Sequence, residues 1–414
     1  MQFINVFHRR ITLSAVCYHK FYIGSTTGIV AGGLLVMPKQ TKKLVLNILL
    51  LFFTILIMIL VVEIVLRLFF PQNLNITQLD EEKVFEHKPG IKSLLKRQEF
   101  RTTVEINSRG LRDKEYELEK PDNTIRIAVL GDSFTFGYGV EQNETFSKIL
   151  ETKLNSLSEI NYEVINFGVS AYGTEQEYIL MQNTVLEYSP DIILLGFVNN
   201  DLNGNLRHNL FDIKNGILVR NPTLEVTPSL KLRNYLSWHS HLYSLLYFSV
   251  IDNQKLRSFL IKVHILNAPF ENPKEDINSL VHLNLDNKNF DYAINKTLLL
   301  FNNMEMIAKQ HNTAFIILII PYKEQVDDKR LEMYIKNKNL AKDNINMTKV
   351  NEIITHSLQD TGVLIIDPLE QFRKNNVDNT FYYNIDGHWN PIGHEFVAEI
   401  LFQRLTEEGI LAKS

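Results

Sequence analysis

A few polar residues follow directly on apolar runs, where their side chains could take part in chemistry. The apolar run that begins at Ile125 stops at Gly131 and is followed by Asp132 and Ser133. Such a run is typical of a buried parallel strand, so we expect Ser133 at a strand's carboxyl end. Ligands of open α/β sheets bind at that edge. Taken alone, the Gly-Asp-Ser tripeptide fits an ordinary turn equally well.

The second group is D-G-H-W-N at residues 386–390, which places a carboxylate two residues from an imidazole. Nucleophilic catalysis by serine needs a base, a group that orients the base, and donors for the oxyanion. His388 and Asp386 can supply the base and the orienting group. Gly168 and Asn200 follow two further predicted strands, so all the candidates converge on one edge of the sheet. This convergence predicts a catalytic site.

Five apolar runs alternate with helix-like segments and predict the strands that position these residues. They are the run from Ile125 to Gly131 and those at 162–167, 192–198, 314–320 and 363–366. The alternation implies an α/β fold with a parallel sheet covered by helices on both faces.

A single membrane span is predicted near the amino terminus. The run from Leu44 to Val62 is uncharged and close to the roughly 20 residues that a spanning helix needs. Lysines precede it at 39, 42 and 43, so the positive-inside rule places the amino terminus in the cytoplasm and the large domain outside the cell (inner) membrane. No small-residue cleavage site follows, which favours a retained anchor. Because Met37 opens the lysine-rich segment, we expect translation to start there, leaving residues 1–36 untranslated.

The sequence thus divides into four predicted segments. They are a cytoplasmic segment (1–43), a transmembrane anchor (44–70), a linker and extension (71–123) and a catalytic domain (124–410). The extension is polar and contains one predicted short strand at 103–106. A helical insertion at about 202–287 interrupts the catalytic domain beside the predicted site. It could form a lid, a wall of the substrate site or a membrane-facing surface.

Composition excludes several other classes. The 414 residues are 45% hydrophobic and 22% charged, as in globular proteins, and the net charge of −4 gives no basic field for nucleic acid. Cys17 is the sole cysteine, which excludes an internal disulfide and a cysteine-rich metal site. His239 and His241 have an H-x-H spacing, but on one helix they would point about 200° apart. We expect no metal and no cofactor.

Four motifs together resemble those of the SGNH, or GDSL-type, serine hydrolase superfamily. They are G-D-S-F at 131–134, N-F-G-V-S at 166–170, N-N-D at 199–201 and D-G-H-W-N-P-I-G-H at 386–394. The resemblance covers about residues 103–410. It implies a flavodoxin-like three-layer α/β/α fold whose five-stranded parallel sheet has the order 2-1-3-4-5.

Carried over by position, the resemblance implies roles for individual residues. Ser133 would be the nucleophile, His388 the base and Asp386 the group that orients His388. The oxyanion hole would consist of the backbone N–H groups of Ser133 and Gly168 and the side-chain amide of Asn200.

Two motifs depart from the superfamily pattern. Val198 occupies the glycine position of the third motif, and Ile385 occupies the aspartate position of the usual D-x-x-H. The shorter D-x-H-W spacing is similar to that of alginate O-acetyltransferase-like relatives, which implies that Asp386 can still orient the base.

The expected function is that of a serine esterase, a carboxylic ester hydrolase. Its expected substrate is an ester of a cell-envelope glycan or lipid, with O-acetyl as the group removed. A polysaccharide O-acetyltransferase using the same triad is one alternative, and a non-catalytic glycan-binding or assembly protein is another.

Aromatic residues beside the motifs leave further roles open. Trp389 could stack on a sugar ring or pack against the loop of His388. Tyr138 and Tyr172 could line a pocket. His394, at the start of the last predicted helix, is expected to be structural.

Overall fold

The computed structural model describes residues 39–157, 160–222, 227–252, 287–338, 340–341, 345–377 and 379–411. The predicted start at Met37 and parts of the insertion (223–226 and 253–286) lie outside these residues. Contacts divide the chain into two units, Met1–Leu60 and Val61–Ser414.

The described residues form eleven strands and thirteen α-helices. The strands are β1 (Thr77–Asp80), β2 (Val84–His87), β3 (Lys92–Lys96), β4 (Arg101–Glu105), β5 (Thr124–Gly131), β6 (Asn161–Asn166), β7 (Ile192–Phe197), β8 (Phe211–Lys214), β9 (Ile217–Arg220), β10 (Ala314–Ile319) and β11 (Leu364–Ile366). The helices are α1 (Lys39–Phe69), α2 (Ser133–Phe136), α3 (Phe146–Leu157), α4 (Thr174–Asn183), α5 (Asp201–His208), α6 (Pro228–His239), α7 (His241–Asp252), α8 (Lys288–Gln310), α9 (Lys323–Val326), α10 (Asp328–Lys338), α11 (Lys349–Leu358), α12 (Leu369–Asn375) and α13 (Pro391–Glu407).

Five of these strands form one parallel sheet, with the spatial order β6, β5, β7, β10, β11. Numbered along the chain, the five have the order 2-1-3-4-5, so the predicted sheet is confirmed. β5 and β7 are buried along their whole length. Strands buried on both faces have continuous apolar runs, which explains why the predicted strand bounds agree with the observed ones to within one residue.

Alternate residues of each strand face opposite layers of helices. In β5, Ala128 and Leu130 belong to the core that includes α4, α8 and α11. Ile127 and Val129 belong to the second core, formed with α3, α12 and α13. The fold is therefore a sheet between two helical layers, and its carboxyl edge is left to the loops.

The extension between the span and β5 contains two antiparallel hairpins, β1–β2 and β3–β4. The strand predicted at 103–106 is β4. The other three strands were not predicted.

Arg112 binds this extension to the loop that follows α2. Its guanidinium is buried and donates to the carbonyl oxygens of Phe136 (2.9 Å), Gly137 (2.6 Å) and Val140 (2.6 Å). The extension therefore packs beside Ser133 and is not a bare linker.

The described part of the insertion is not entirely helical, because the hairpin β8–β9 lies between α5 and α6. His239 ends α6 and His241 begins α7, so the expectation that both lie on one helix is wrong: the chain turns at Ser240.

In the part of the chain that the structure describes, α1 alone is long and apolar enough to cross a membrane. The mean hydropathy of its most apolar window is 3.2, and none of that window is buried.

Candidate active site

Ser133 is the first residue of α2, directly after β5. Asp132 caps this helix, since its carboxylate accepts the Phe134 N–H at 2.9 Å. Gly131 has a φ of 152°, and a Cβ there would lie 2.9 Å from the Gly196 carbonyl oxygen on the neighbouring strand. The turn therefore requires glycine, and it places Ser133 at the carboxyl edge of the sheet.

The structure brings the predicted serine, histidine and aspartate together. Ser133 Oγ lies 2.7 Å from His388 Nε2, and His388 Nδ1 hydrogen-bonds to Asp386 Oδ1. Burial acts to raise the pKa of Asp386, but the hydrogen bond and charge of His388 outweigh it, and the pKa is lowered. An ionised Asp386 can thus hold His388 with its Nε2 facing the serine hydroxyl.

Two aromatic rings contact the imidazole. The rings of Phe134 and Tyr138 each lie at a centroid distance of 4.9 Å from the His388 ring. Trp389 is fully buried against Phe134 and Phe372. With no exposed surface, Trp389 packs beneath the loop and cannot stack on a sugar.

Glu99, in the turn between β3 and β4, holds the loop that carries Asp386. Its carboxylate accepts the backbone N–H groups of Asn384 (2.7 Å), Ile385 (2.8 Å) and Asp386 (2.9 Å). The sequence analysis missed this residue, because no motif links it to a loop almost 290 positions away.

The predicted oxyanion donors lie around Ser133, but two of them already have acceptors. The Gly168 N–H donates to Asn166 Oδ1 at 2.9 Å, and Asn200 Nδ2 donates to Asp132 Oδ2 at 3.1 Å. The Ser133 N–H belongs to the first helical turn, whose N–H groups have no intrahelical acceptor.

Gly168 packs directly on α2. A Cβ at this position would lie 2.6 Å from the Thr135 carbonyl carbon and would also overlap Phe136 N. The glycine of the second motif therefore allows its loop to approach the helix that carries Ser133.

Valine fits the third motif's glycine position. Val198 is fully buried, and its N–H donates to Asp201 Oδ2 at 3.1 Å, which closes the loop that presents Asn200.

Three fully buried carboxyl groups interact behind the site: Asp132, Glu177 and Asp201. Both Glu177 carboxylate oxygens lack a hydrogen-bond partner among the described residues. Burial and the charge of Asp132 raise the pKa of Glu177 well above its ordinary value, and burial likewise raises that of Asp132. Glu177 belongs to none of the four motifs, so no sequence pattern identifies it.

Tyr138 and Tyr172 line separate cavities. Tyr138 borders a cavity of about 190 Å³ between the extension and the loop after α2, whose walls are largely apolar: Leu74, Ile76, Leu94, Leu95, Val104 and Phe136. Tyr172 and Gly168 border a smaller one, of about 60 Å³. The larger cavity is thus bordered by Tyr138, whose ring contacts that of His388.

Within the described residues, no group of three or more His, Cys, Asp or Glu side chains could hold a metal ion. His241 Nδ1 accepts the Gln72 N–H at 2.9 Å. His394 is buried, and burial lowers its pKa to about 3, so the neutral ring accepts the Phe146 N–H at 3.2 Å. These contacts are structural.

Comparison with known proteins supports the resemblance to the SGNH superfamily. A family model described as the SGNH hydrolase-like domain of the acetyltransferase AlgX matches residues 284–413, which contain Asp386 and His388. The resemblance to SGNH hydrolases with an AlgX-like last motif is thereby confirmed. No curated protein sequence matches the chain.

Solved structures with similar folds include three esterases or acylhydrolases. The acetyl xylan esterase AlAXEase is 14% identical, with 68% of this chain and 100% of that chain covered and a TM-score of 0.39. A catalytic mutant of the acetylxylan esterase Axe2 from Geobacillus stearothermophilus is 11% identical (68% and 94% covered, TM-score 0.38). A putative acylhydrolase from Bacteroides fragilis is 12% identical (70% and 92% covered, TM-score 0.37).

Proposed function

We propose that this protein is a membrane-anchored serine esterase of the SGNH type. The family match supports an ester-acting hydrolase or acyltransferase in general terms. The observation that carries the proposal is the 2.7 Å contact between Ser133 Oγ and His388 Nε2, with Asp386 on the other imidazole nitrogen. We propose an O-acetyl ester of a cell-envelope glycan or lipid as the substrate.

In the proposed reaction, His388 Nε2 takes the hydroxyl proton while Ser133 Oγ attacks the ester carbonyl carbon. The tetrahedral intermediate collapses when His388 returns this proton to the leaving alcohol, which leaves an acyl group on Ser133. Water then gives a proton to His388 and attacks the acyl carbon, and the acid is released as Ser133 regains its proton. Asp386 keeps His388 in the required orientation throughout.

The oxyanion would be bound by the Ser133 and Gly168 N–H groups and by Asn200 Nδ2. Each such donor can contribute about 10²- to 10³-fold in rate. Two of these donors must change partner. The single Gly168 N–H donates to Asn166 Oδ1, so it must turn from that acceptor or share its hydrogen with the oxyanion. Asn200 donates to Asp132, so it must turn toward the oxyanion or share its two amide hydrogens between both acceptors.

Acyl transfer to a polysaccharide is the second candidate. It is favoured by the match of residues 284–413 to a domain described for an acetyltransferase, and by the D-x-H-W spacing. In this case a sugar hydroxyl replaces water in the second half of the reaction.

The proposed location follows from α1. We propose that its apolar run is the membrane anchor of residues 44–70 and that the lysines before it keep residues 1–43 in the cytoplasm. The extension (71–123) and the catalytic domain (124–410) would then lie on the outer side of the cell membrane.

Hydrolysis of p-nitrophenyl acetate by the full chain in detergent tests the proposal. Removing the nucleophile of a serine triad costs about 10⁶-fold in kcat. We therefore expect Ser133→Ala to abolish turnover, while Ser156→Ala, a change of an exposed serine on α3, leaves it unchanged. Equal turnover by Ser133→Ala and the parent chain would refute the proposal.

Adding an oligosaccharide acceptor separates esterase from transferase. A transferase should acetylate the acceptor faster than it releases acetate, as followed by mass spectrometry of the sugar. Release of acetate at a rate that the acceptor does not alter indicates an esterase. Absence of both reactions would favour the non-catalytic alternative.

A further inference from the structure

One carboxylate joins the helices α6 and α7 to the end of α1. Glu63 accepts the backbone N–H groups of His241 and Leu242 and the hydroxyl of Ser240, each at 2.9 Å. The first N–H groups of a helix have no partner within it, so Glu63 caps α7 and complements its dipole. Arg67 donates to the His239 carbonyl oxygen on the other side of the junction.

The position of Glu63 in α1 fixes the depth of this junction. Glu63 is the first charged residue after the uncharged run from Leu44 to Val62. At about 1.5 Å per residue this run is about 28 Å long, close to the roughly 30 Å of a bilayer's hydrocarbon core. If α1 is the span, Glu63 lies where hydrocarbon gives way to headgroups, and the amino end of α7 lies at the same level.

Both helices at this level expose large apolar and aromatic side chains. Leu246 and Tyr247 of α7 are 58% and 45% exposed, and Leu232 and Tyr235 of α6 are 60% and 57% exposed. α7 has no acidic or lysine or arginine side chain before Asp252. Leu246 follows His241 by five residues, about 7.5 Å along the helix, which is no more than the thickness of the headgroup layer in either direction.

We propose that α6 and α7 lie in the headgroup layer of the bilayer, with Leu246 and Tyr247 directed toward the acyl chains. This partner is a lipid surface, and the proposal depends on α1 being the membrane anchor. Helices with an exposed apolar side and interfacial tyrosines bind in this way. Four exposed side chains of this kind on two consecutive helices are typical of an interaction surface.

The contact would hold the candidate active site at a fixed height above the membrane. The segment that follows α1 is bonded to α6, since the Asn75 N–H donates to the Ser237 carbonyl oxygen (3.0 Å) and Trp238 Nε1 donates to that of Thr77 (2.7 Å). Asn75 and Thr77 also line the apolar cavity behind Tyr138. The same segment therefore lines the cavity and is hydrogen-bonded to α6.

A lipid-accessibility experiment tests this inference on the full chain. Cys17, the sole cysteine, is replaced by serine, and single cysteines labelled with nitrobenzoxadiazole are introduced by Leu246→Cys, Met333→Cys and Phe53→Cys. The labelled chains are reconstituted in vesicles of phosphatidylcholine and phosphatidylglycerol. Met333, on α10, is 50% exposed and serves as a matched surface control, while Phe53 reports on the span.

We expect the label at Leu246 to be quenched several-fold by lipids with a shallow nitroxide, the label at Phe53 by lipids with a deep nitroxide, and the label at Met333 by neither. Quenching at Phe53 with a water-like signal at Leu246 would overturn the inference and leave the anchor intact. A blue-shifted signal at Leu246 without lipid quenching would show that protein, such as a second copy, covers α7. An unquenched label at Phe53 would remove the anchor and this inference with it, whereas the proposed esterase would still be tested by Ser133→Ala.

Discussion

Replacement of Glu99 by alanine removes the acceptor of three backbone N–H groups that hold the Asp386 loop. The lost distances are 2.7, 2.8 and 2.9 Å. Two of these bonds are solvent-exposed and water can replace the carboxylate, so we assign each about 0.5–1 kcal/mol, or about 1.5–3 kcal/mol together. At about 1.4 kcal/mol per tenfold in rate, kcat/KM should fall about 10- to 100-fold if the loop position is lost in the transition state.

The assay is hydrolysis of p-nitrophenyl acetate by the full chain, with circular dichroism to confirm folding. Glu99→Gln keeps one acceptor oxygen and should lose less activity than Glu99→Ala. Glu105→Ala is the matched control, because Glu105 lies on the adjacent strand β4, is exposed and pairs with Lys92 rather than with the loop. This control should retain the parent kcat/KM.

Glu99 should affect catalysis through Asp386. An amide in place of the orienting carboxylate of a serine triad lowers kcat about 10⁴-fold. In an Asp386→Asn background, Glu99→Ala should therefore add little, because residues that act as a unit are strongly non-additive. The same loss in both backgrounds, or full activity of Glu99→Ala alone, would refute the account of Glu99.

Two further changes test the packing and the electrostatics of the site. Gly168→Ala should push α2 away, because the new Cβ would lie 2.6 Å from the Thr135 carbonyl carbon. Displacing a nucleophile by about 1 Å can cost about 10²-fold in rate, so we expect a lower melting temperature and a kcat/KM reduced by about that factor. An unchanged melting temperature together with an unchanged kcat/KM would contradict this packing. Glu177→Gln should be more stable than the parent chain by a margin that grows as pH rises. Because the pKa of Glu177 is raised, the folded parent keeps a proton that its unfolded form loses above about pH 4.5. The parent's free energy of unfolding therefore falls by up to about 1.4 kcal/mol per pH unit above that value. Melting temperatures of both chains from about pH 4 to about pH 8 check this, and a difference that stays constant with pH would contradict it.

Much of the central sheet is predictable because a strand that is buried on both faces is a continuous run of apolar residues. β7 is a continuous apolar run from Ile192, and polar residues mark its end at Asn199 and Asn200. Ser133 directly follows β5, so its position at the carboxyl edge follows from the parallel topology. His388 is separated from β11 by α12 and a loop, so its position at that edge also depends on how these fold back. The hydrogen bond between Ser133 and His388, however, requires the conformation of two loops that the sequence does not specify.

The hairpins of the extension have no comparable sequence pattern. β1 (T-Q-L-D) and β2 (V-F-E-H) are four residues long, and most of their residues are only half-buried, so neither shows a clear alternation of apolar and polar residues. Glu99 was missed for the same reason: its function depends on where a short hairpin packs. The pairing of Asn200 with Asp132 depends likewise on side-chain conformations that spacing cannot define.

Ser133 should be a nucleophile activated by His388. Reaction of the full chain with a fluorophosphonate, followed by peptide mass mapping, tests this, because the reagent forms a stable bond only with an activated hydroxyl. We predict one adduct, on Ser133, that is absent from Ser133→Ala and forms at least about 10²-fold more slowly in His388→Ala. An adduct on a different serine, or equal rates for the parent and His388→Ala, would contradict this expectation.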